Sequence, residues 1–107
     1  MKRILLTAAL FLLPLLTSRA DPSAIWAEKC AKCHGPDGKG DTKMGKKFNI
    51  KDFTDAKVQA GFTDEQALSA IKTGTKDDKG AMRMKAIEGL SDDDTKALVA
   101  YVRTLKK

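Results

Sequence analysis

The sequence predicts an all-α domain of three to four helices joined by long loops. Three observations point there. Two segments open with a hydroxyl cap: Thr63, three positions before Gln66 as in a capping box, and Ser91. The last of them carries Leu98, Tyr101, Val102 and Leu105 at i, i+3, i+4 and i+7, one apolar helix face. Nowhere does a sustained two-residue alternation suggest a strand.

The elements follow in chain order. Asp21 and Pro22 form a helix start, an N-cap acceptor followed by proline at the first helical position. The run SAIWAEKCAKC then continues in good helix formers, with Trp26 and Cys30 four apart on one face and Cys33 close by. GPDGKGD, residues 35–41, is turn chemistry without periodicity. Residues 42–53 are expected to be irregular, anchored by Met44, Phe48, Ile50 and Phe53, with a short helical turn over residues 54–59. Thr63 and Gln66 open a helix through Ala67, Leu68 and Ile71, which Gly74 ends. A second polar loop, TKDDKGAMRMKAIEG, leads to Ser91, the cap of the last helix. Asp92, Asp93 and Asp94 suit the positive end of that helix dipole, and Lys106 and Lys107 the negative end.

Ahead of these elements, residues 1–20 have the layout of a secretory signal. Lys2 and Arg3 precede an apolar run from Ile4 to Leu16, and Ser18 to Ala20 offers a cleavage site. Thirteen residues of helix span about 20 Å, too short for a hydrocarbon core of about 30 Å. The expected domain is therefore residues 21–107, exported and not held in a membrane. Loss of Lys2, Arg3 and Arg19 leaves 17 basic against 14 acidic residues, a net charge of +3. No run of Lys and Arg is interleaved with aromatics, so nucleic-acid binding has little support.

A chain this small usually needs a staple, and its glycine-rich loops are long enough to wrap something. Both cysteines, Cys30 and Cys33, and the sole histidine, His34, lie within five positions. A disulfide here would close a very short loop, where cross-linking stabilises least. Zinc needs a fourth ligand, and no second pair is present. A thioredoxin-like dithiol would stand at a helix start after a strand, whereas this pair ends a helix. The remaining reading is covalent haem attachment, the chemistry of Cys-x-x-Cys-His. Two intervening residues let both thiols reach the two vinyl groups of one porphyrin, with His34 an axial ligand of its iron. The second ring nitrogen of His34 would then be oriented by a backbone carbonyl. No second histidine remains, so the other axial ligand is expected among the methionines. Met44, ten residues after His34, reads as a loop anchor. Met82 and Met84 both qualify, and spacing alone does not choose between them.

On CAKCHGPDGKGD, MRMKAIEGLS and LSDDDTKALVAYVRTLKK, the chain resembles the small class I bacterial cytochromes c over nearly all of residues 21–107. The resemblance implies the cytochrome c fold around one haem c per chain. It implies that the first and last helices cross with Trp26 and Tyr101 in contact. MKAIEGLS has the register of the family's Met-Lys-Pro-aromatic segment, with Ala86 and Ile87 in place of proline and the aromatic, and this favours Met84. The expected set is then Cys30, Cys33, His34 and Met84, with His34 and Met84 on the iron.

The implied function is one-electron transfer by a monomeric periplasmic carrier, not an enzyme. Its partners would be redox proteins: an oxidase, reductase or dehydrogenase. Two rivals are a haem sensor or enzyme with a labile distal ligand, and a haem subunit of a larger respiratory complex. In the family both loops border the haem crevice. Lys43, Lys46, Lys47, Lys51, Lys76, Lys79, Arg83 and Lys85 would then ring it and favour an acidic docking surface, or be only solvated loop charges.

Overall fold

The computed structural model describes residues 21–107, so the signal sequence read at residues 1–20 lies outside the described residues. Helices dominate. In order they are α1 (Pro22–Ile25), a π-helical segment (Trp26–Cys30), α2 (Ala31–His34), α3 (Lys43–Lys47), α4 (Ala56–Ala60), α5 (Asp64–Thr73) and α6 (Asp92–Thr104), with strands β1 (Thr75–Lys76) and β2 (Met82–Met84) between the last two.

The first three pieces form one nearly continuous helix. Asp21 caps it by accepting from the Ser23 amide at 3.0 Å, with Pro22 in the first turn. Its middle widens to π geometry over the five residues that end at Cys30. Such widening is uncommon and often marks a functional site.

Thr63 and Ser91 cap α5 and α6 as their sequences predict; the capping box expected of Thr63 and Gln66 is present, and Ser91 forms one with Asp94 as well. The short helical turn begins two residues later than expected, at Ala56. Asp52 first accepts from the amide and hydroxyl of Thr54 and holds that residue in a turn.

Two elements were not expected. Residues 43–47 form α3 where an irregular loop is predicted, because Thr42 caps it by accepting from the Gly45 amide at 2.8 Å. The second long loop folds into an antiparallel hairpin that pairs Thr75 with Met84 and Lys76 with Met82. Its tip is closed by Asp77, whose carboxylate accepts from the amides of Lys79 and Ala81, both at 2.9 Å.

The core lies where the first helix packs against α6, and α5 packs on the same helix. Ile25, Trp26, Cys30, Leu98, Val99 and Val102 are buried, with Phe53, Phe62, Tyr101 and Leu105 partly buried against them. Trp26 and Tyr101 meet with ring centroids 5.7 Å apart, the contact implied by the family resemblance. Among the described residues no helix is long and apolar enough to cross a membrane.

Candidate cofactor site

The C-terminal end of the first helix sets Cys30, Cys33 and His34 along the wall of one cavity, and the following loop holds that helix end in place. The last carbonyls of a helix lack intrahelical partners. Here the Gly35 amide donates to Ala31 O at 2.9 Å, the Thr42 hydroxyl to Cys33 O at 2.6 Å and the Gly40 amide to His34 O at 2.7 Å. Trp26 Nε1 reaches over to donate to Gly35 O at 2.9 Å in a buried hydrogen bond. GPDGKGD is thus the shell that satisfies the end of the motif helix.

The His34 ring lies against two aromatic rings. It stacks on Phe53 at 5.2 Å and 21°, and tilts against Trp26 at 5.5 Å. Burial pushes its pKa below the ordinary imidazole value, which keeps it neutral, the form that binds metals. The carbonyl expected to orient its second ring nitrogen is not found: His34 Nδ1 is buried and has no hydrogen-bond partner among the described residues.

Both thiols are free, Cys30 buried and Cys33 half-buried. Burial pushes the Cys30 pKa up, and Cys33 adds to this, while Lys29 opposes it. A redox dithiol needs the opposite shift, toward thiolate, so this environment disfavours that reading. Zinc fares no better. Among the described residues no three His, Cys, Asp or Glu side chains converge as a metal cage.

Two cavities meet at this cluster. The smaller, of about 200 Å³, is apolar, walled by Trp26, Phe53, Phe62, Ile71, Leu98 and Val102. The larger, of about 550 Å³, runs out between the two long loops past Cys33, Met44, Phe48, Asn49, Met82 and Arg83. Cys30, His34, Phe53, Ala70 and Met84 line both. Ligand cavities commonly run from about 300 to 1,000 Å³. An apolar hollow of this extent, lined by two free thiols and a neutral imidazole, fits a covalently held porphyrin and its iron.

The methionines now separate. Met84 is half-buried and lines both cavities, as His34 does, whereas Met82 lines only the larger and is 47% exposed. Met44 lines the larger cavity from α3. Sequence reasoning did not find Phe53 as the ring stacked on His34, although it marked that residue as an apolar anchor. It also passed over Lys29 and Asn49, which line the larger cavity without any local signal.

Comparison with known proteins bears on the same residues. A family model described as Cytochrome c matches residues 20–106. The solved structure of the KustC0563 c-type cytochrome is similar, at 33% identity and a TM-score of 0.69, over 81% of this chain and 99% of that one. A structure of a point mutant of Kustc0563 matches at 32% identity and a TM-score of 0.66, covering 80% and 99%. A search of curated proteins finds no match.

Proposed function

The chain belongs to the cytochrome c family, and on that premise we propose an exported one-electron carrier whose haem iron is held between His34 and Met84. The covalently bound haem c and its use in electron transport come with the family. The residue roles, ligand pair and compartment are the reading advanced here. One observation carries it: Met84 lines both cavities, and these meet at His34 beside the free thiols of Cys30 and Cys33.

In this reading Cys30 and Cys33 hold the porphyrin by thioether bonds. His34, pressed between Phe53 and Trp26, presents a neutral ring in a fixed plane. Bound there, the haem supplies one-electron exchange between Fe(II) and Fe(III). The surrounding chain sets the potential of that exchange. Leu98, Val102, Ile71 and Phe62 exclude water from one side, and a thioether ligand favours the reduced iron, so both raise the reduction potential. With His34 and Met84 both committed, no position is left open for a substrate, which argues for a carrier and not an enzyme.

A pyridine haemochrome spectrum of protein exported with a haem-attachment system tests the attachment, and a c-type spectrum is the expected result. The distal ligand is tested by the weak sulfur-to-iron absorption band. Met84→Ala should abolish it and Met82→Ala should leave it; the reverse pattern would move the assignment to Met82. Reduced wild-type protein should resist carbon monoxide, because a tight methionine is not displaced. Export is tested by the mass of the periplasmic form, which should begin at Asp21.

A further inference from the structure

Arg83 stands between Met82 and Met84 in β2, yet its side chain belongs to the other loop. Its Nη2 donates to the carbonyl of Phe48 at 2.7 Å, joining positions 35 apart in sequence. Phe48 closes α3, so its carbonyl belongs to a finished helix end and has no intrahelical partner. Arg83 makes no ion pair among the described residues, so this bond is its one directed contact there. Both residues line the larger cavity and the bond between them is exposed, so it crosses from loop to loop on the solvent side of that cavity.

Little else holds that side of β2. The hairpin pairs only Thr75 and Lys76 with Met84 and Met82, with an irregularity between the two pairs. Toward α5 the fit is tight: Gly74, at φ +78°, leaves no room for a Cβ against the Met84 carbonyl. The next backbone tie is the Ile87 amide to Ile71 O at 2.8 Å, three residues beyond Met84. Met84 is thus braced from behind by Gly74 and from the front by its neighbour Arg83.

We propose that Arg83 is a positioning residue, a strap across the cavity mouth that keeps Met84 in place and keeps small outside ligands off the iron. The proposal rests on Met84 being the distal ligand. Its mechanism is a population shift. A ligand that enters only when the 82–84 segment swings away has its affinity reduced by the fraction of time the segment is open. A charge-assisted hydrogen bond that exists only in the closed form lowers that fraction.

The test is imidazole titration of the oxidised holoprotein, at a pH where free imidazole is neutral, so that surface charge does not by itself change the affinity. The sulfur-to-iron band reports displacement. Arg83→Gln is too short to span the opening and should raise imidazole affinity about fivefold, as expected for one exposed hydrogen bond. Lys85→Gln removes an equal charge from the same cavity lining and should stay within about twofold of wild type. An unchanged Arg83→Gln, or a Lys85→Gln effect as large as that of Arg83→Gln, overturns the strap. Met84→Ala in the same assay separates the two ideas. If it leaves the band intact, the ligand assignment itself fails. If it removes the band while Arg83→Gln binds imidazole like wild type, only the strap fails.

Discussion

Gly45 has no room for a side chain. A Cβ there would run into the carbonyl oxygen of Gly40 and press on that of Cys33. The Gly45 amide meanwhile donates to Thr42, whose hydroxyl donates to Cys33 O, and its own carbonyl accepts from Ile50. In an ordinary helix alanine would be preferred to glycine by about 1 kcal/mol. Here the close approach outweighs propensity, because the opposing atoms are backbone and cannot swing aside. Gly45→Ala should therefore destabilise the holoprotein by about 1–3 kcal/mol in urea unfolding, and its haem attachment should suffer because Cys33 is displaced. An alanine variant as stable as wild type would show that the loop yields freely. This constraint was invisible in the sequence, since Gly40 and Cys33 reach Gly45 only through the folded loop. Cys30, Cys33 and His34 could be singled out as candidates from spacing alone. For the proposed distal ligand the motif register already favours Met84 over Met82, and burial and the cavity walls add support that the sequence does not hold.

At the scale of elements, one side chain gathers most of the polar ties at the C-terminal half of α6. Arg103 donates from Nε to Asp64 at 2.8 Å, from Nη1 to the backbone and side-chain oxygens of Gln59, and from Nη2 to Phe62 O at 2.8 Å. Its guanidinium also lies 4.3 Å from the Phe62 ring centroid. Buried Gln59 completes the joint, donating to Phe53 O at 2.7 Å and Val102 O at 2.9 Å. Arg103→Ala should cost about 2–4 kcal/mol of unfolding free energy, because it strands several part-buried acceptors at once. Arg103→Lys should recover less than half, since an ammonium cannot match the planar fork. Equal stability of all three proteins would dismiss the joint.

The other end of α6 is tied differently, by Lys72 of α5 to Asp92 at 2.6 Å. The hydrogen bond from Lys72, with its charge, holds the Asp92 carboxyl below its ordinary value. A depressed carboxyl stabilises above its unfolded-state pKa of about 3.9 and loses that contribution as pH falls through the folded value. The small urea-midpoint gap between wild type and Asp92→Asn at neutral pH should therefore close as the pH is lowered through the folded-state value; a gap that persists once the carboxyl is protonated would have another cause. The capping residues Thr63 and Ser91 were readable because capping is local. The α3 helix and the hairpin were not: one is lysine-rich with a central glycine, the other pairs too few residues for any alternation to register.

Across the whole molecule, acidic and basic residues are mixed, but the charge that lines the larger cavity is of one sign. Lys29, Lys51, Arg83 and Lys85 line the larger cavity, and no acidic residue among those described does. Of the loop charges expected around the crevice, Lys51, Arg83 and Lys85 are in the lining, and Lys29, from the first helix, stands with them. Lys43, Lys46, Lys47, Lys76 and Lys79 are not in the lining, and Lys46 is paired with Asp41 at 3.4 Å. Exposed Met82 adds an apolar contact on the same rim. We propose that this face meets a redox partner carrying acidic residues around its own cofactor, with complementary potentials mainly speeding encounter. The bimolecular electron-transfer rate with such a partner should then fall as ionic strength rises, because exposed charges are screened beyond about 8 Å at physiological salt. Lys51→Gln together with Lys85→Gln should flatten that dependence, while Lys43→Gln together with Lys76→Gln, equal in charge but off the lining, should leave most of its slope. Stopped-flow measurement over a salt series distinguishes the cases. Equal flattening by both pairs would mean that net charge alone steers the partner, and a rate independent of salt would mean that docking is apolar, through Met82 and its neighbours.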